Sequence, residues 1–185
     1  MACSRVAKLA CLAMTGLLAA CASAPPRPAA GPPDHAGAGA VFILVPHAET
    51  AADDPDDPAL SPAGQARAQA LARQLRDVPL EAVYADEFRR TQQTVMPTLQ
   101  GRGGLKLSRY FSRGPLGETA RQWRQQHRGQ VLVAGEPEAI APLANALCDC
   151  TVRPLQAGET DRLIRITAVA GSPVRVEDRR YGPVP

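Results

Sequence analysis

Ala40-Val41-Phe42-Ile43-Leu44-Val45 is an unbroken apolar run, stopped at once by Pro46. A run this short, with no polar alternation, reads as a strand buried on both faces, and such a strand needs helices on both sides of its sheet. Val131-Leu132-Val133-Ala134 repeats the pattern, and Ala82-Val83-Tyr84-Ala85 is a shorter version of it. Helical spacing fills the gaps. Ser61-Pro62 is a helix start, because serine can cap and proline suits the first helical position. Ala68, Leu71, Leu75 and Val78 then fall on one face. A helix is expected from Arg89 to Val95, ending near Pro97 because the residue before a proline disfavours helical backbone. A strand is expected within residues 105–111. A polar helix over 118–127 has Trp123 as its anchor and His127 at an exposed end. Ile140, Leu143, Ala144 and Leu147 mark another helix, and 163–168 with 173–176 form a terminal hairpin. The alternation predicts an α/β fold, a three-layer α/β/α sandwich with a mostly parallel central sheet. Aromatic residues are only 4%, so its core must rest on aliphatic side chains.

The domain does not start at residue 1. Arg5 and Lys8 precede an apolar stretch over 9–20, too short to span a bilayer comfortably. This is the anatomy of a secretory signal peptide. It ends in Leu18-Ala19-Ala20-Cys21, which resembles a bacterial lipobox whose cysteine is acylated after cleavage. The expected organisation is a signal peptide over 1–20, a lipidated Cys21 with a Pro/Ala/Gly tether over 21–40, and a folded domain over 41–185. Its place would be the cell envelope, facing the periplasm, with Ala22 after the cysteine favouring the outer membrane. Losing Arg5 and Lys8 lowers the formal charge from +3 to about +1. No clustered basic face remains for nucleic acid. Only Cys148 and Cys150 lie in the domain. A bridge across one residue would be strained, so they read as two thiols, and no metal site is expected from two sulfurs alone.

In open α/β sheets, ligands bind beyond the C-terminal ends of the strands. Three segments occupy such positions: 46–50, 86–94 and 135–139. They carry Pro46-His47-Ala48-Glu49, then Asp86 with Arg89 and Arg90, then Gly135-Glu136. Together with Leu60-Ser61-Pro62-Ala63-Gly64 and the closing Arg180-Tyr181-Gly182, their order and spacing resemble the histidine phosphatase superfamily, the phosphoglycerate mutase-like proteins, over about residues 41–182. The resemblance implies that superfamily's fold and its chemistry, phosphoryl transfer through a phosphohistidine without a cofactor.

Carried over residue by residue, the implied pocket is incomplete. His47 stands at the nucleophile position and Arg90 at a phosphate-binding arginine. Pro46 replaces the other arginine, Glu136 replaces the second histidine, and Asp86 stands where serine is common. Loss of one oxyanion donor typically costs about 10²–10³ in turnover. A carboxylate at about 4 Å from phosphate, at an effective dielectric of about 20, adds roughly 4 kcal/mol of repulsion. Glu136 is therefore expected to pair with Arg90. The expected function is an envelope lipoprotein whose phosphatase activity is weak or lost. The alternative is an active phosphomonoesterase working through His47. Partners implied are a small phosphorylated ligand and the membrane through the lipid anchor; no protein partner is named by the sequence. Asp53, Asp54, Asp56 and Asp57 read as a solvated loop, with a calcium site as the less favoured reading.

Overall fold

In a computed structural model, the described residues are 39–169 and 171–182. The signal segment, Cys21 and the tether up to residue 38 lie outside them. Ala40, assigned to the tether, already opens the first strand. The elements are β1 (Ala40–Pro46), α1 (Pro62–Gln74), β2 (Leu80–Ala85), α2 (Arg89–Leu99), β3 (Leu107–Arg109), α3 (Leu116–Gln126), β4 (Gln130–Gly135), α4 (Pro137–Cys148), β5 (Arg162–Ala168) and β6 (Arg175–Arg180). The sheet order is β3-β2-β4-β1-β5-β6. The strands β3, β2, β4 and β1 are parallel, and the terminal hairpin β5–β6 is antiparallel. Among the described residues, no helix is long and apolar enough to cross a membrane.

The continuous apolar runs explain the layering. Alternate residues of one strand point to opposite faces. Phe42, Leu44, Val131 and Val133 enter a core with Trp123, Leu143 and Leu147, on the side of α3 and α4. Ile43, Val45, Val83 and Leu132 enter a second core with Leu71, Leu75 and Val95, on the side of α1 and α2. The Ser61 hydroxyl caps α1 by accepting the Gly64 N–H at 3.1 Å. A side chain at Gly64 would put its Cβ 2.1 Å from the Glu49 carbonyl oxygen, so only glycine lets the turn after β1 approach this helix.

Three local expectations are corrected. The helix expected to stop near Pro97 continues to Leu99. Proline there removes one hydrogen bond in the last turn, where few remain to lose, while Val95 and Thr98 stay buried on the inner face. His127 is buried, only 8% exposed, rather than an exposed helix end. As the C-cap of α3, its ring folds back between the Glu81 carboxylate at 2.8 Å and the Tyr84 hydroxyl at 3.0 Å. Cys148 and Cys150 form a disulfide, with Cα atoms 5.1 Å apart. Asp149, the C-cap of α4, adopts the left-handed conformation (φ 52°, ψ 43°). That reversal swings Cys150 back onto Cys148, a turn that residue spacing alone does not reveal.

Candidate active site

The parallel strands β2, β4 and β1 are neighbours, so their C-terminal ends bring the three motif segments to one edge of the sheet. Pro46 pairs with Gly135 in register, and the His47 N–H donates to the Gly135 carbonyl at 3.0 Å. The Ala48 N–H donates to the Thr94 hydroxyl of α2 at 3.0 Å. Asp86, just past β2, is fully buried and joins the segments. Its carboxylate accepts the Phe88 N–H at 3.1 Å and the Glu136 N–H at 2.9 Å. Burial is the largest influence on this carboxyl and pushes it up to about 6.

Arg90 and Glu136 form a two-pronged pair. The arginine Nε donates to Glu136 Oε1 at 2.8 Å, and Nη2 donates to Oε2 at 2.7 Å. The third edge is also engaged: Nη1 donates to the Asp56 carbonyl at 3.3 Å and lies 3.7 Å from Asp57 Oδ1. The guanidinium carbon lies 4.2 Å from the centroid of the Phe88 ring. The hydrogen bonds to Glu136 hold Arg90 even more firmly protonated than usual. An arginine fork matches a carboxylate as well as it matches a phosphate, and here both prongs are taken up by Glu136.

His47 is partly buried. Its Nδ1 lies 2.8 Å from the Ala48 carbonyl, which can only accept, so Nδ1 carries a proton. The other ring nitrogen, Nε2, sits 4.0 Å from Glu136 Oε1. Pro46 is buried and has no N–H to offer. The structure thus brings His47, Arg90 and Glu136 together, with Pro46 beside them.

The sequence reading missed three parts of this site. The acidic loop is exposed but not merely solvated. Asp54 accepts the N–H groups of Asp56 and Asp57, while Arg89 binds Asp53 and the Asp57 carbonyl, so the loop is braced over Arg90. The acidic run offered a weak signal for this. Glu49 is held by the buried Arg67, through Nε at 2.9 Å and 3.0 Å, and accepts the Thr160 hydroxyl at 3.0 Å. Residues 154–160 form one wall of a groove of about 670 Å³ beside His47, opposite Pro137 and Glu138 of α4. Nothing in residue spacing predicted that long loop to return there.

Among the described residues, no group of three or more histidine, cysteine, aspartate or glutamate side chains is arranged to hold a metal ion.

The family model described as histidine phosphatase superfamily (branch 1) matches residues 42–110. Solved structures of similar fold include the protein histidine phosphatase SixA complexed with tungstate, at TM-score 0.62 and 19% identity, covering 76% of this chain and 96% of that one. A mycobacterial glucosyl-3-phosphoglycerate phosphatase bound to VO3 matches at TM-score 0.56 and 13% identity, covering 78% and 99%. A phosphoserine phosphatase from Entamoeba histolytica with 3-phosphoglyceric acid matches at 0.52 and 12%, covering 78% and 98%. No curated protein sequence matches. The chain thus shares the fold of these phosphatases, and its segment 42–110 is similar to the histidine phosphatase superfamily.

Proposed function

We propose that this chain is an envelope lipoprotein whose histidine phosphatase domain has closed its own phosphoryl site and turns over phosphomonoesters weakly or not at all. The observation that carries this reading is the two-pronged Arg90–Glu136 pair. A phosphoryl group approaching His47 would have to displace a carboxylate already bonded by both prongs. Charge-assisted bonds of this kind are about twice as strong as neutral ones. It would also meet the negative charge of Glu136 once displaced. Pro46 adds no compensating donor. The lipoprotein part of the reading rests on the basic, apolar and cysteine-bearing segments over residues 1–21.

One observation favours an active phosphomonoesterase instead. With Nδ1 tied to the Ala48 carbonyl, Nε2 is the His47 ring nitrogen left for attack. Steady-state hydrolysis of 4-nitrophenyl phosphate separates the two readings. Wild type and His47→Ala should be indistinguishable, both at the background of the assay. A wild-type rate at least 100-fold above His47→Ala would establish the phosphohistidine route and end the closed-site reading.

A further inference from the structure

We propose that the groove beside His47 takes a small alkyl cation, a guanidinium or primary ammonium on a short aliphatic chain, in place of a phosphoester. This deepens the closed-site reading and rests on it, because only a pocket that has given up the phosphoryl anion has use for the opposite charge.

The lining carries the inference. At about 670 Å³ the groove has the size of a small-molecule site. No lysine or arginine lines it. Its ionisable residues are His47, Glu138 and Glu159. Glu159 is already satisfied: Arg153 donates to both its oxygens and holds the carboxyl down at about 2, and Arg180 and the Gln156 N–H add to this. Glu138 is different. It stands exposed in the first turn of α4, with no ion pair or side-chain hydrogen bond among the described residues. Its carbonyl is short of a partner too. The residue four positions on is Pro142, inside the helix and also lining the groove, and it has no N–H to give. His47 lines the same groove, with its Nδ1 edge committed to the Ala48 carbonyl. Carboxylate and carbonyl are both acceptors. A positively charged group rich in N–H donors satisfies acceptors of this kind, whereas a phosphate does not. Ala141, Pro142 and Leu155 supply apolar surface for the methylenes behind the charged head.

Titration of the ¹⁵N-labelled protein with agmatine at low salt and constant pH tests this by amide chemical shifts. Saturable shifts are expected at Glu138, Asn145 and Thr160, and Glu138→Gln should weaken binding about tenfold or more. A blocked Gly-Arg-Gly peptide distinguishes an arginine side chain from a free alkyl cation; binding of either probe supports the proposal. Absence of saturable shifts with both probes overturns it, as does binding that Glu138→Gln leaves unchanged. Orthophosphate serves as the separate arm. If it too fails to saturate, the closed-site reading stands whatever agmatine does. If orthophosphate saturates the same amides, the closed-site reading falls and this inference falls with it.

Discussion

A chain carrying both Pro46→Arg and Glu136→His is expected to hydrolyse 4-nitrophenyl phosphate about 10³-fold faster than wild type, in kcat/KM at pH 7. The two changes act on different defects. Removing the Glu136 carboxylate releases the Nε and Nη2 donors of Arg90, now spent at 2.8 Å and 2.7 Å on that side chain. It also removes a negative charge 4.0 Å from His47 Nε2. Between a carboxylate and a phosphoryl anion about 4 Å apart, at an effective dielectric of about 20, repulsion is worth roughly 4 kcal/mol, or about three decades. A histidine there, and an arginine where Pro46 ends β1, each restore a donor worth about 10²–10³. Groups that act as one unit do not add, so a gain near a single one of these factors is expected rather than their product. Either substitution alone should gain less than the pair. Adding His47→Ala to the double variant should erase the gain. A folded double variant that stays at the wild-type rate would contradict the electrostatic account of the pocket.

The second large effect concerns pH and the fold. Asp86 is fully buried, and burial raises its carboxyl from 3.8 to about 6. An acid with a raised native value binds its proton more readily folded than unfolded. Its contribution to stability is therefore full below about pH 3.8 and is lost as pH rises through about 6. The difference of about two units corresponds to about 3 kcal/mol, as an order of magnitude. Urea midpoints for wild type and Asp86→Asn, measured between pH 4 and 7, should show this as a difference in slope. The variant lacks one acceptor for the Phe88 and Glu136 N–H groups, so it should be less stable throughout, by about 1–3 kcal/mol. Its deficit should shrink as pH rises towards 7. Parallel curves would show that Asp86 is not the titrating group.

The layers of the fold were legible because burial on both faces leaves an unambiguous trace. The apolar runs of β1 and β4 carry no polar residue to reconcile, and they pair in parallel register. Ser61-Pro62 announced α1 because capping is a local interaction. The misses are places where distant contact overrides a local rule. Packing of Val95 and Thr98 carries α2 past Pro97. The Glu81 and Tyr84 partners of His127 come from β2, which no property of α3 discloses. The Cys148–Cys150 bridge depends on the left-handed turn at Asp149, a conformation that an aspartate tolerates but its neighbours do not announce. Of the site, the positions of His47, Arg90 and Glu136 followed from motif order, since His47 and Glu136 each directly follow a parallel strand and Arg90 lies in the first turn of the helix after another. The brace of the acidic loop over Arg90 and the 154–160 wall did not. Both depend on loops whose course is fixed by their own hydrogen bonds rather than by periodicity.

Everything functional here turns on which anion Arg90 holds. Isothermal titration of wild-type protein with orthovanadate at pH 7 measures that directly. No saturable heat up to about 1 mM is predicted, since a ligand weaker than that gains less than about 4 kcal/mol and cannot displace the carboxylate. Saturable micromolar binding that disappears in Arg90→Ala would show that the guanidinium is available to tetrahedral oxyanions after all.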